Sequence, residues 1–282
     1  GTVPGTINMG ARLGYVKNTT DTEEFNWMQQ AHDDANLDPG DTVTTYAVDV
    51  ASGAIGATTD NGSIVTTEAY IDTGTAPKLW LKMDNNVSGD AQTLVDSSGQ
   101  ANTTVTDDGA NNAGMDCTVS GKVDLGCDLD GDDKIKVTDV GAIDITGALT
   151  IMGWFNLDTE QEQGLVVKWG PSAGEASYSL STHWTTTDEF YLAIDDDGSV
   201  PGDYFEISSN ANLTTGTWYH LAAVYDTTSI TLYRDGVVLS TTTSGSIPSS
   251  IYSGSADLYV GSFSNGTSMD GSVDDVRVYD YA

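Results

Sequence analysis

Cations are scarce in this sequence: 10 Lys plus Arg stand against 42 Asp plus Glu, a formal net charge of -32 over 282 residues. So few cannot form a basic stripe, and phosphate backbones and anionic headgroups are repelled inside a Debye length, which excludes nucleic-acid binding. No run approaches the roughly 18 to 20 apolar residues of a membrane span, so insertion into a bilayer is not expected. Proline is limited to six residues and cysteine to two, too few for a disulfide-dense scaffold. Two thiols with no nearby Cys or His pair cannot complete a tetrahedral zinc site. The nucleophile elbow, the phosphate loop and the zinc-protease helix are all missing, which lowers the expectation of catalysis.

What is present is a strand-and-turn composition with 31 Gly, 13 Tyr and 6 Trp, and 38% hydrophobic residues, enough to bury a core. From Lys78 onward, short alternating runs such as Lys134-Ile135-Lys136-Val137 and Phe190-Tyr191-Leu192-Ala193-Ile194 recur between turn residues. Ten or more strands at that spacing predict a sandwich or barrel. Asp235-Gly236, between Ile230-Thr231-Leu232-Tyr233 and Val237-Val238-Leu239, predicts a hairpin. Cys117 and Cys127 flank Gly121 and Gly126, turn chemistry that brings them within disulfide range and points to an oxidising compartment. Six N-x-S/T sequons, at Asn18, Asn61, Asn86, Asn102, Asn212 and Asn265, are possible glycosylation sites.

Residues 1 to 77 read as a small α+β segment. Thr22 to Asn36 carries a capping Thr22, Glu23 and Glu24 in the first turn, and Phe25, Met28 and Ala31 near one face, which predicts a helix. Thr42 to Val50 and Ser63 to Ile71 are strand candidates. A core this small predicts that the segment packs on something else, and assembly or anchoring through copies of itself is the expected role.

In the second region the pieces Leu81-Lys82-Met83-Asp84, Val95-Asp96-Ser97-Ser98-Gly99 and Leu129-Asp130-Gly131-Asp132-Asp133 occur in that order. They are followed by Leu149-Thr150-Ile151-Met152-Gly153-Trp154-Phe155, Trp218-Tyr219-His220-Leu221-Ala222-Ala223-Val224-Tyr225-Asp226, Leu232-Tyr233-Arg234-Asp235-Gly236 and Gly271-Ser272-Val273-Asp274-Asp275-Val276-Arg277-Val278-Tyr279. Residues 78 to 282 thus resemble a laminin-G-like (concanavalin A-like) jelly-roll module, which implies an all-β, two-sheet antiparallel sandwich. Trp154, Trp218 and Tyr225 are expected on its inward face. His220, inside such a strand, is read as structural.

The resemblance also implies a structural Ca²⁺ where the first strand, the Asp-Ser-Ser-Gly loop and the last strand meet, with Asp84, Asp96, Asp274 and Asp275 as its ligands. Hard oxygen donors from distant segments are what that ion takes. Asp128, Asp130, Asp132 and Asp139 imitate an EF-hand loop, but Asp133 stands where Gly is needed and no helix flanks the segment, so a turn entering a strand is expected. Related sandwiches that hydrolyse glycosides carry Glu-x-Asp-x-x-Glu on one strand, and none of the eight glutamates here falls in that pattern. Trp184 is the aromatic best suited to stack on a sugar ring. The expectation is a non-catalytic extracellular, cell-surface or virion-surface structural protein that self-assembles through its first segment. It would display a calcium-stabilised lectin-like jelly roll for glycan or receptor binding. The alternatives are a monomeric secreted carbohydrate-binding or adhesion module and an accessory domain of a glycoside hydrolase.

Overall fold

A computed structural model of the chain describes residues 76–282, apart from 90, 108–114, 183–188, 200–204, 212, 245, 265 and 267. Of residues 1–75 it describes only the backbone of six short strands. The chain divides into two units, Gly1–Ala76 and Pro77–Ala282.

The strands of the first unit are β1 (Thr6–Gly10), β2 (Tyr15–Asn18), β3 (Glu24–Phe25), β4 (Thr42–Tyr46), β5 (Thr58–Asp60) and β6 (Ser63–Glu68). They form one mixed sheet in the order β3-β2-β1-β4-β6-β5, with β4 parallel to both β1 and β6. Glu24 and Phe25, placed in a helix by the sequence pattern, instead pair with Lys17 and Val16. The inter-strand ladder satisfies their backbone groups where i to i−4 bonds were expected. The rest of the expected helix, residues 26–36, lies outside the described residues.

The second unit begins with β7 (Leu79–Leu81), β8 (Thr104–Asp107), β9 (Asp116–Ser120), β10 (Leu125–Asp130) and β11 (Lys134–Val137). The long β12 (Leu149–Leu157) follows, then β13 (Gly164–Lys168), β14 (Tyr178–Thr182), β15 (Glu189–Ile194) and β16 (Phe205–Asn210). The chain continues through β17 (Trp218–Tyr225), β18 (Ile230–Arg234), β19 (Val237–Val238), β20 (Thr242–Ser244), β21 (Leu258–Val260) and β22 (Asp270–Tyr279). Two eight-stranded antiparallel sheets result. One runs β19-β18-β17-β12-β22-β10-β9, with β7 also on β22; the other runs β20-β16-β15-β14-β13-β21-β11-β8. Together they make the two-sheet sandwich of the concanavalin A-like class.

The core lies between the sheets, where Phe155, Tyr178, Phe190 and Tyr225 are each at most 1% exposed. Burying such rings is favourable only if their hydroxyls find partners. Tyr178 donates to the Ile143 carbonyl at 2.9 Å and Tyr225 to the Pro248 carbonyl at 2.7 Å. One cation is buried as well: Lys168 Nζ reaches Asp139 at 2.6 Å, Asp144 at 3.1 Å and the Ala256 carbonyl at 2.7 Å. The predicted hairpin is present, with Asp235 and Gly236 both at positive φ (50° and 76°) between β18 and β19.

Trp154 and Trp218 correct the inward-face expectation. Their neighbours Phe155 and Leu157 belong to the core cluster, whereas Trp154 pairs with His220 and Trp218 with Asn156 on the opposite face. Side chains alternate along a strand, so only Tyr225 of the three points inward.

At Gly271 the β22 backbone leaves no space for a side chain against β12. Its φ is +140°, and a Cβ there would stand 2.1 Å from the Asn156 carbonyl oxygen. Gly271→Ala is expected to cost on the order of 2 kcal/mol or more. It should lower the urea midpoint at unchanged m-value in equilibrium unfolding.

Candidate functional site

β22 is bonded along one edge to β12, but its other edge is shared. β10 covers Asp270 to Val273, and β7 covers Val276 to Val278. Between the two partners lie Asp274 and Asp275. The ladder to β12 shifts register at this point, from Met152 opposite Arg277 to Trp154 opposite Asp274, and Asp275 takes a φ of 48°. Such a bulge inserts one extra residue and re-aims side chains. It sets two consecutive carboxylates at the opening between β7 and β10.

Three segments converge on that opening. The tip of the β9–β10 hairpin supplies the Val123 amide, which donates to Asp274 Oδ2 at 2.7 Å. The next amide but one, Leu125, donates to Asp84 Oδ1 at 3.3 Å, so the chain leaving β7 arrives at the same tip. Gly121 permits the approach, since a Cβ there would lie 2.3 Å from the Leu125 oxygen and 2.7 Å from Asp274 Oδ2.

The carboxylates are not equivalent. Asp274 is 0% exposed, and its Oδ1 has no hydrogen-bond partner. Burial pushes its pKa up to about 8, helped by Asp275 and Asp84 and opposed by amide donors from Val123 and Lys122. Asp84 is exposed, and its pKa is also raised, first by partial desolvation and then by Asp124 and Asp275, against the Leu125 amide and Lys82. Asp275 is fully engaged by cationic and indole donors. It accepts from Trp80 Nε1 at 2.6 Å and from Arg277 Nε and Nη2 at 3.2 and 2.9 Å. The Arg277 guanidinium and the Lys82 ammonium both lie over the Trp80 ring, 4.4 and 4.3 Å from its centroid.

Asp96, the fourth expected ligand, does different work. Its Oδ1 accepts from the amides of Trp80 and Ser98 at 3.0 and 2.9 Å. Its Oδ2 accepts from Ser98 Oγ, the Asn102 amide and Asn102 Nδ2 at 2.7, 3.0 and 2.8 Å. Five donors fill the lone-pair capacity of one carboxylate, so Asp96 pins its own loop to β7. Asp274 and Asp84 thus each accept from the same hairpin tip, with Asp275 next in the chain, while Asp96 stands apart on its own loop. The same network corrects one glycosylation candidate: Asn102 is buried, and its Nδ2 also donates to the Lys78 carbonyl at 2.7 Å. Asn86 is exposed, while Asn61, Asn212 and Asn265 lie outside the described residues, and Asn18 is described only as backbone.

The remaining candidates separate cleanly. Cys117 and Cys127 form a buried disulfide between β9 and β10. The two ends of the EF-hand imitation are engaged elsewhere, Asp128 of β10 accepting from Ser272 Oγ of β22 and Asp139 pairing with Lys168. Asp130, at the end of β10, and Asp132 and Asp133 of the following turn bring carboxylate oxygens within 4.8 Å of one another, an acidic grouping where a turn entering a strand was expected. His220 packs edge-on against Trp154 at 5.2 Å, and burial holds its pKa down at about 4, against the pull of Asp275. A neutral imidazole so placed fits a structural role. Trp184 and His183 lie in the β14–β15 connection, outside the described residues, as does His32.

A family model described as the concanavalin A-like lectin/glucanases superfamily matches residues 129–282. None of the curated protein sequences matches the chain. Among solved structures, domain 4 of AbnA, a GH43 extracellular arabinanase from Geobacillus stearothermophilus, in complex with arabinotriose, is similar at 19% identity. That alignment has a TM-score of 0.51 and covers 72% of this chain and 92% of that one. The binding domain of Paraclostridial Mosquitocidal Protein 1 is similar at 15% identity and TM-score 0.53, covering 73% of this chain and 49% of that one. The binding domain of botulinum neurotoxin DC in complex with rat synaptotagmin II gives 11% identity and TM-score 0.52, with 73% and 48% covered. The chain thus spans about half the length of the toxin domains it matches. At these identities the likeness is one of fold.

The Asp274 environment generates a pH prediction for the cation-free protein. Its pKa is raised in the folded state, so the native chain binds the extra proton, and stability falls as pH climbs from the unfolded value near 3.8 to about 8. Asp274→Asn removes that loss. In EDTA the variant should melt a few °C above the parent at pH 8, the gap closing toward pH 4; a gap independent of pH would contradict the assignment.

Proposed function

The chain belongs to the concanavalin A-like lectin/glucanases superfamily, and we propose that it is a non-catalytic extracellular binding protein whose jelly roll recognises a glycan or a protein receptor. The observation that carries this reading is the fold likeness to domains that bind. An arabinanase domain holding arabinotriose and a toxin binding domain holding synaptotagmin are built on the same sandwich. The disulfide supports an extracellular setting, because structural disulfides persist in oxidising compartments.

Ca²⁺ is part of the proposal. Asp274 and Asp84 would hold it, and carbonyl oxygens of the hairpin tip would complete the oxygen shell such an ion takes. A buried carboxylate with one unpartnered oxygen fits this chemistry, since burying a charge is costly unless it is paired. When bound, the ion would supply charge neutralisation at the junction of β7, β10 and β22. Asp275 would stand beside it as the partner of Arg277, holding Trp80 in place.

Ligand contact is assigned to the loops of the β15 sheet, with Trp184 in the β14–β15 connection as the stacking residue. Residues 1–76 would mediate self-association at a cell or virion surface, a role suggested by the small core that a segment of this length can bury.

Two measurements test the reading. On a glycan microarray the full chain is expected to bind a defined set of glycans, and Trp184→Ala should weaken that binding about tenfold. Absence of binding both with and without Ca²⁺ would overturn the glycan arm and leave protein receptors. Sedimentation of the full chain against a fragment starting at Pro77 should show self-association only for the former; two monomers would remove the assembly role.

A further inference from the structure

The β9–β10 hairpin is weakly held by its own ladder. β9 is the outermost strand of its sheet, the pairing with β10 shifts register between Gly126 and Asp128, and Cys127 sits in that shift. The hairpin base is tied to the segment after β7, where the Cys117 amide donates to the Val87 carbonyl at 2.8 Å and Gly89 donates to Met115 at 2.7 Å. Its tip turns between Gly121 and Leu125, closed by one bond from the Gly121 amide to the Asp124 carbonyl at 3.1 Å, with Asp124 at a φ of 50°. This sparsely bonded tip supplies the amides that meet Asp274 and Asp84.

The Cys117–Cys127 bond is the one covalent tie across this hairpin, and both residues are 0% exposed. It closes a short loop that contains the whole tip. Closing that loop lowers the entropy the tip would gain by detaching from the carboxylates. Without it, Asp274 loses the amide donors of the tip, Val123 and Lys122, more readily, and the oxygens facing the opening are no longer held at fixed separation. A cation site assembled from three distant segments is sensitive to that loss, because affinity depends on preorganised ligands.

We propose that the Cys117–Cys127 disulfide is the positioning element of the Asp84–Asp274 calcium centre, making calcium affinity depend on the redox state of the hairpin. This rests on the calcium reading above. Reduction by a phosphine or thiol adds two electrons and two protons, splits the S–S bond into two thiols, and oxidises the reductant. The consequence is a compartment bias: the centre loads more readily where the disulfide is formed, outside a reducing cytoplasm.

The test is calcium titration calorimetry on the oxidised full chain, the phosphine-reduced chain and the Cys117→Ala/Cys127→Ala variant, with Asp274→Asn as the site control. The oxidised chain is expected to bind one Ca²⁺ that Asp274→Asn abolishes, and both disulfide-free forms should bind at least tenfold more weakly. No binding by the oxidised chain, or binding that survives Asp274→Asn, overturns the calcium reading itself. Binding by folded disulfide-free protein within twofold of the oxidised chain overturns the redox dependence alone. If the disulfide-free forms fail to fold, hydrogen exchange on the oxidised protein decides: Ca²⁺ should slow exchange at the Val123 and Leu125 amides at least tenfold, and unchanged exchange there overturns the proposal.

Discussion

The divided edge of β22 is the constraint on which the site depends. A strand bonded to one neighbour along its whole edge has no room for a carboxylate in its sheet. A strand whose edge is split between β10 and β7 leaves an interval, and the bulge at Asp275 directs Asp274 into it. Asp274 is then buried, with an amide on one oxygen and no partner on the other. That arrangement is unfavourable for a bare anion. A proton would relieve it, and so would the cation proposed above, whose divalent charge Asp84 would share. The hairpin tip, the chain leaving β7 and the Trp80–Asp275–Arg277 group are all arranged around that one buried group.

The same junction bears on the charge imbalance of the whole chain. Lys82, Lys122 and Arg277, three of only ten cations, cluster here and lie over Trp80 or Trp154. An Arg or Lys over an indole face gains from the ring quadrupole while its stem covers apolar surface. Using scarce cations on this outer sheet face offsets part of the repulsion among Asp84, Asp124, Asp274 and Asp275. Elsewhere among the described residues, Asp139 and Asp144 pair with Lys168, and Asp226 caps a turn by accepting from Thr228 and Ser229.

Much of the fold was legible in the sequence because its signals are local. Alternation marked the strands, Asp235-Gly236 marked the hairpin by its demand for positive φ, and the order of short motifs pointed to the sandwich. The errors fall where local pattern is ambiguous. Ile151-Met152-Gly153-Trp154-Phe155 is apolar in both phases of a period-two pattern, so size suggested Trp154 for the core when Phe155 occupies it. The Thr22 to Asn36 pattern satisfied helix rules, yet at Glu24 and Phe25 pairing with β2 prevails. The site was legible only through resemblance. Asp84 and Asp274 are separated by nearly the full jelly roll, and nothing local shows that two strands share one edge of β22. Nor could spacing reveal that Asp96 would be saturated by Ser98 and Asn102, which lie within six residues of it.

The central claim is that Asp274 and Asp84 form a cation centre beside Trp80. Terbium luminescence tests it most directly, because Tb³⁺ replaces Ca²⁺ in oxygen sites and is sensitised by a nearby indole. Excitation of the tryptophans should produce terbium emission that Ca²⁺ displaces and that both Asp274→Asn and Trp80→Phe strongly reduce. Absence of sensitised emission from the oxidised protein, or emission unchanged by Asp274→Asn, would contradict the account.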